Sequence, residues 1–402
     1  MVQVVRRCRV AALALCAVAI VCGCGTATVT ASPTNTSAVS AAPSPSPSAS
    51  ASAIATASPT PSATAPSWST LTVSKPIKVV APCDFCLIVA WHDEYVAAGS
   101  MGDGDGVATS SDLIHWKIVA SGNKVPVAAR LLVGPTGLLV AYNAQGLWTS
   151  VDAITWTPVS NLPFQPSIIK ISAGRRGLVA ATVDSDADDV WFSADGTSWT
   201  PAPSADALLQ GNTMFDLFAG PTGFFITGEI GRASWFENRA GNWAGWWSSD
   251  GLTWQRAIID DATGFGANEE VHFAANGMFI EEGYFGQWHS IDGLSWVKTT
   301  KSDTPKAEFG GDSNLTYIDG GDRRIAVDCS VTCNRAWETF DGLAWKPMKI
   351  TIPKSARDDV DEMLPNNEFV AFTKDGMTLY CSIGGAMGTP VTTEVIRIAA
   401  AP

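Results

Sequence analysis

Apolar and polar positions divide the chain into three regimes. Val10 to Val21 is an unbroken apolar run. From Cys24 to about Ser67 the chain is Ala, Ser, Thr and Pro with almost no large apolar side chain, and Pro43, Pro45 and Pro47 alternate with serines. From Trp68 onward, short apolar runs recur behind Gly, Pro, Asn or Asp turns, beginning at His92, Gly134, Gly174, Gly220, Ala275, Gly320 and Pro365. Short apolar runs bounded by turn residues predict strands, and seven such pairings of turn and run predict seven strand units.

A second signal recurs in the same units. A serine, an aspartate two residues on and a tryptophan six on occur as Ser110, Asp112 and Trp116, as Ser150, Asp152 and Trp156, and as Ser193, Asp195 and Trp199. They recur as Ser248, Asp250 and Trp254, as Ser290, Asp292 and Trp296, and with threonine as Thr339, Asp341 and Trp345. Two residues before the hydroxyl stand Trp148, Trp191, Trp246, Trp288 and Trp337, with Ala108 the exception. The same register finds a worn seventh copy at Tyr380, Ser382, Gly384 and Gly385 that lacks the aspartate and the second tryptophan. The hydroxyl positions lie 40, 43, 55, 42, 49 and 43 residues apart, the length of a four-stranded propeller blade.

Both counts give seven. The expected fold is therefore all-β, a seven-bladed β-propeller of four-stranded antiparallel blades, with six blades as the alternative. Each motif belongs at the turn between the third and fourth strands. Its hydroxyl and carboxylate bond turn backbone groups, the following glycine takes a left-handed conformation, and the tryptophans fill space between blades. Leu113 and Ala153 stand where the later copies have glycine, which predicts a locally different turn in the first two blades.

The repeat resembles the Asp-box, or bacterial neuraminidase repeat, of the sialidase-like propellers. Here the glycine follows the aspartate directly, one residue earlier than in that family's common form. The resemblance covers nearly the whole folded part. It implies that the boxes are scaffold on the face away from the ligand site, so that function belongs to the face built by the loops between second and third strands. A sialidase resembling the family would need three arginines on a carboxylate, a Tyr and Glu nucleophile pair and an aspartate acid/base. Yet residues 68 to 110 contain no arginine, and the five tyrosines Tyr95, Tyr142, Tyr284, Tyr317 and Tyr380 fall mostly in strand-like runs. A binding or scaffold module for a glycan, a peptide or an envelope protein is the leading reading. A sialidase-like glycoside hydrolase or lyase is the second, and an assembly factor for a membrane complex the third.

Residues 1–23 read as a processing signal. Arg6, Arg7 and Arg9 precede the apolar run, which is too short to span a bilayer as a permanent helix. The run ends in Val21, Cys22, Gly23 and Cys24, which resembles a bacterial lipobox and implies lipidation of Cys24. An ordinary secretory signal is the alternative. A doubly acylated cysteine holds a protein stably where one chain is marginal. Residues 24–67 then form an extended tether, since they cannot bury enough apolar surface to offset the entropy of ordering, and 68–402 form the propeller. The expected location is the cell membrane, lipid-anchored on the extracytoplasmic side, as a monomer. With 26 basic and 39 acidic residues the formal charge is −13, and removal of 1–23, with three arginines and no acid, makes it −16. No basic stripe exists to neutralise phosphates, so a nucleic-acid partner is excluded.

Cysteines and loop composition add the candidate chemistry. Outside a reducing cytosol, the close pairs Cys83 and Cys86, and Cys329 and Cys333, predict two local disulfides with Cys381 left over on the third strand of the last blade. A four-sulfur zinc site or a redox Cys-x-x-Cys are the alternatives. The longest loop between second and third strands, about Gly228 to Gly245 in blade 4, holds Glu229, Arg232, Trp235, Phe236, Glu237, Arg239 and Trp243. Aromatics beside Arg and Glu suit stacking and hydrogen bonding to a sugar ring or peptide; a lid folded on its own aromatics is the bland alternative. Asp103 and Asp105 in blade 1 and Asp184, Asp186, Asp188 and Asp189 in blade 3 cluster in equivalent loops. Asp184, Asp186 and Asp188 could offer oxygens to calcium, although no glycine turn or distal glutamate follows as in an EF-hand.

Overall fold

The computed structural model describes residues 67–101, 104–122, 130–183, 189–231, 243–260, 271–282, 286–299, 315–319, 323–328, 335–354, 367–373, 376–383 and 392–401. Their strands form six sheets that contain seven four-stranded units, with Ile77–Val79 added beside the last of them and Ile258–Ile259 added in parallel to the fifth. Blade 1 is Asp84–Trp91, Glu94–Ser100, Asp105–Ser110 and Lys117–Ser121; blade 2 is Arg130–Val133, Leu139–Asn143, Gly146–Ser150 and Thr157–Pro158. Blade 3 is Ile169–Gly174, Gly177–Thr182, Val190–Ser193 and Thr200–Pro201; blade 4 is Thr213–Ala219, Phe224–Glu229, Trp243–Ser248 and Gln255–Arg256. Blade 5 is Val271–Ala274, Gly277–Glu282, Gly286–Ser290 and Ser295–Thr299; blade 6 is Leu315–Asp319, Arg324–Asp328, Arg335–Thr339 and Lys346–Thr351. Blade 7 takes Asn367–Thr373, Gly376–Ile383 and Thr392–Ala401 from the end of the chain and Thr70–Val73 from its beginning.

This last pairing closes the ring. Leu71 stands opposite Ala400 and Val73 opposite Ile398. Thr70–Val73 also runs parallel to Lys346–Thr351, so blades 6 and 7 share one sheet. Trp68, Leu71 and Val73 are buried there among Ile325, Val327, Leu379 and Ile396. The innermost strands of blades 7, 1, 2, 3 and 4 touch in that order. Their free edges turn toward the axis, where ring closure shields them from pairing with another chain.

The closure corrects the sequence reading of blade 7. Asn367–Thr373 is its innermost strand and Gly376–Ile383 its second, so Tyr380 and Ser382 lie on the second strand and are not a worn Asp-box. Cys381 is likewise on the second strand and not the third. The third strand ends at Ala401, and its fourth strand arrives from far away in sequence. There is no turn between them for a box to occupy. A second departure is the helix α1, Pro203–Leu209, inserted between blades 3 and 4 with Ala205 and Leu209 buried. Together with the connection after Glu229 it accounts for the 55-residue spacing.

All six boxes share one core of hydrogen bonds. The Ser or Thr hydroxyl donates to the aspartate Oδ1 over 3.0–3.2 Å. That oxygen also accepts the two N–H groups two and three residues on at 2.7–2.9 Å. In four boxes the closing tryptophan Nε1 donates to the carbonyl of the residue after the aspartate. That apex residue has positive φ whether it is glycine or not: 64° at Leu113, 59° at Ala153 and 78° at Gly293. The first two turns do differ locally, as the sequence predicts: in the four glycine boxes the apex N–H also donates to the Ser or Thr hydroxyl at 2.8–2.9 Å, and among the described residues no such bond is made at Leu113 or Ala153, although both keep the left-handed conformation.

Each apex packs into the preceding blade. Leu113 is fully buried against Ala371, Tyr380 and Val395 of blade 7, and Ala153 against Val96 and Val107 of blade 1. At Gly293 a Cβ would come within 2.2 Å of Trp247 of blade 4, and at Gly342 within 2.5 Å of Phe279 of blade 5, so there both the space and the backbone demand glycine. The closing tryptophans follow: Trp296 lies 4.8 Å from the Phe225 ring of blade 4, and Trp116 lies 6.2 Å from Tyr380 of blade 7.

Candidate functional site

Antiparallel order puts the turns after first and third strands on one face, the box face. The ends of second strands and the starts of first and third strands lie on the other, the loop face. On the box face the repeated polar groups are consumed by backbone. Hydrogen bonds also cross between blades there, from Trp91 Nε1 to the Gly137 carbonyl at 2.6 Å and from Asn276 N to the Phe340 carbonyl at 2.9 Å. The N–H of Ser198, and then that of Thr197 against the opposing effect of burial, hold the Asp195 carboxyl down at about 2. Such a carboxylate is a structural acceptor and offers no general acid or base near neutral pH.

The loop face near the axis is organised differently. Arg130 and Lys170 stand at the starts of the innermost strands of blades 2 and 3, and Asp216 stands within that of blade 4, where a bulge separates it from Met214. Lys170 pairs with Asp216 across the blade 3 and 4 seam, each about one-third exposed. Tyr142, on the second strand of blade 2, accepts the Ile171 N–H at 3.1 Å and is bonded by Arg130. Burial raises the Tyr142 hydroxyl above its usual range, with the Ile171 and Arg130 contacts acting against the shift. One polar network thus crosses three blades. Toward the box face, Ile88 to Ala90, Leu131 to Val133, Ser172, Ala173 and Ala219 line a cavity of about 370 Å³ whose side chains are mostly apolar.

No residue of this network was expected from the sequence. The available signal was a charge interrupting an otherwise apolar strand, as Lys170 does between Ile169 and Ile171 and Asp216 between Phe215 and Leu217. The second polar position on this face is in blade 4. Glu229 ends the second strand with 8% of its surface exposed, and Trp243 opens the third strand directly opposite it. Trp243 is half-buried, its ring 5.7 Å from Phe215. Both Glu229 and Trp243 therefore belong to strands and not to the expected loop.

Of the other expected site residues, Arg232, Trp235, Phe236, Glu237 and Arg239 lie outside the described residues, as do Cys24, Asp103, Cys329, Cys333 and the calcium candidates Asp184, Asp186 and Asp188. Cys83 and Cys86 form a disulfide with their Cα atoms 5.4 Å apart. Among the described residues no three His, Cys, Asp or Glu side chains group as metal ligands.

No protein-family profile matches the chain, and no curated protein matches it. Solved structures do. It is similar to β-propeller proteins. One is a streptogramin B lyase at 9% identity, over 82% of this chain and 98% of that one, with a TM-score of 0.49. A second is YCF48 bound to D1 peptide, at 12% identity over 82% and 97% with a TM-score of 0.46. A third is the N-terminal domain of Nup159, at 11% over 84% and 97% with a TM-score of 0.41. The fold rests on the sheets themselves, and no activity passes from these proteins to this chain.

Proposed function

We propose that this chain is an exported lipoprotein, anchored through Cys24, whose propeller is a non-enzymatic binding module of sialidase-like architecture that receives an envelope partner, by its peptide or glycan, on the loop face. The observation that carries the reading is the contrast between the faces. Six box carboxylates bond their own turns, whereas Arg130, Tyr142, Lys170 and Asp216 meet across three blades at the mouth of the channel. Polar groups converging on a concavity with apolar walls are the usual make-up of a binding site.

The anchoring half of the reading is supported by the apolar run, the lipobox-like end and the tether composition. Cys24→Ser should move the protein from the membrane fraction to the soluble one, and retention in the membrane would refute lipidation there. For the binding half, glycan and peptide arrays are to be probed with the wild type, Lys170→Ala and Trp243→Ala. Loss of at least tenfold in signal with either variant supports the loop-face site. A ligand held equally by all three sinks it.

A further inference from the structure

Two buried carboxylates elsewhere in the ring face cations. Asp328 pairs with Arg335, and Glu338 with Arg323. Glu229 does not. It is more than nine-tenths buried, and its Oε2 is sealed from solvent without a hydrogen-bond partner among the described residues. Directly opposed residues on neighbouring antiparallel strands share one face of the sheet, so Glu229 and Trp243 project to the same side of blade 4. Trp243 and Phe215 pack ring to ring there, and Trp243 borders the cluster between blades 4 and 5. An unmatched carboxylate thus stands beside two aromatic rings at the loop-face end of the seam.

The chemistry of such a place selects its occupant. A sugar hydroxyl would complete the missing hydrogen bond but leave the charge uncompensated, whereas a cation completes both and is also drawn to the faces of Trp and Phe. The surplus of 39 acidic over 26 basic residues favours a cationic partner as well. We infer that Glu229, Trp243 and Phe215 receive one cationic side chain, a lysine or arginine, of a partner polypeptide. The inference rests on the reading of the loop face as the binding face and names the group that face selects.

The test uses the full chain carrying Cys24→Ser, titrated with acetylated and amidated heptapeptides of alanine and glycine bearing a central Lys, Arg or Gln, read by tryptophan fluorescence and calorimetry. The Lys and Arg peptides should bind at least tenfold more tightly than the Gln peptide. Glu229→Gln should abolish that preference while leaving the melting temperature equal or higher, and Trp243→Leu should weaken it several-fold. Equal binding of the three peptides, binding of none, or a preference that survives Glu229→Gln overturns the cation site. If the arrays yield a ligand that needs Lys170 but is indifferent to Glu229→Gln, the cation site fails while the loop-face reading stands. If that ligand is indifferent to every loop-face variant, both fail.

Discussion

Two buried glutamates, Glu338 and Glu229, show what a carboxylate does in this ring. Glu338 lies on the third strand of blade 6 with its side chain fully buried. One oxygen accepts Arg323 Nη1 at 2.7 Å, and the other accepts the Ser67 hydroxyl at 2.7 Å and the Trp68 N–H at 3.0 Å. The Arg323 guanidinium in turn lies 4.1 Å over the Trp68 ring. These are the residues that lead into the closing strand, so Glu338 fastens the lead into Thr70–Val73 to blade 6. Glu229 has nearly the same burial and an oxygen with no donor among the described residues. Burial of a charge is costly unless its hydrogen bonds are made. The satisfied carboxylate therefore belongs to the scaffold, and the unsatisfied one marks where the ring is completed by something else.

Removing the fastening should have the largest effect. Glu338→Ala removes the buried carboxylate that faces the Arg323 guanidinium, and breaking a buried ion pair costs about 3–5 kcal/mol. Calorimetry should show a fall of several degrees in melting temperature, and hydrogen exchange should show lost protection first in Thr70–Val73 and Thr392–Ala401. An unchanged melting temperature would show that a complete set of donors does not distinguish scaffold from site.

The apolar counterpart of that fastening is Leu113, which seals blade 1 against blade 7. Leu113→Gly removes a fully buried side chain, a loss of about 2–5 kcal/mol, and relieves the left-handed backbone, a gain of about 1–2 kcal/mol. The net effect should be a destabilisation of about 0–4 kcal/mol, centred near 2, measured as a shift in the urea midpoint. A stabilised variant would mean that strain at φ 64° outweighs the seam contact.

How much of this was legible follows from the range of the interactions involved. The boxes were, because hydroxyl, carboxylate, apex and tryptophan lie within seven residues, and their bonds are local. The closing strand was not. Leu71 pairs with Ala400, and a four-residue strand whose partner lies at the other end of the chain leaves no periodic trace. That omission produced the misreading of Tyr380 and Ser382, since a blade assumed to be continuous in sequence had to contain a box. The left-handed position of Leu113 and Ala153 was legible from the register of the motif, whereas the packing around a non-glycine apex comes from the preceding blade and was not. At the candidate site, Trp243 was legible as an aromatic near charges. The isolation of Glu229 was not, because the lack of a donor depends on every neighbour in space.

Glu229→Gln should act in the opposite sense to Glu338→Ala and more weakly. Removing a charge that lacks a counter-charge should leave stability unchanged or raise it by up to about 1 kcal/mol, read as the denaturation midpoint at pH 7. A loss comparable to that of Glu338→Ala would show that Glu229 is also scaffold and would remove the contrast between the two residues.

The smallest effect sharpens the comparison with a third carboxylate, one that is satisfied yet exposed. Asp195 accepts the Thr197 and Ser198 N–H groups at 2.8 and 2.7 Å, and its folded-state pKa is about 2. An unfolded aspartate titrates near about 3.9, so this group stabilises the fold fully above that value. The contribution is lost as the pH falls through about 2. Solvent screens an exposed group, so the magnitude should be small. In urea midpoints measured between pH 1.5 and 6, wild type and Asp195→Asn should differ by a constant amount above about pH 4 and converge toward pH 2. A difference independent of pH would assign the role of Asp195 to the shape of its side chain, with no contribution from its charge.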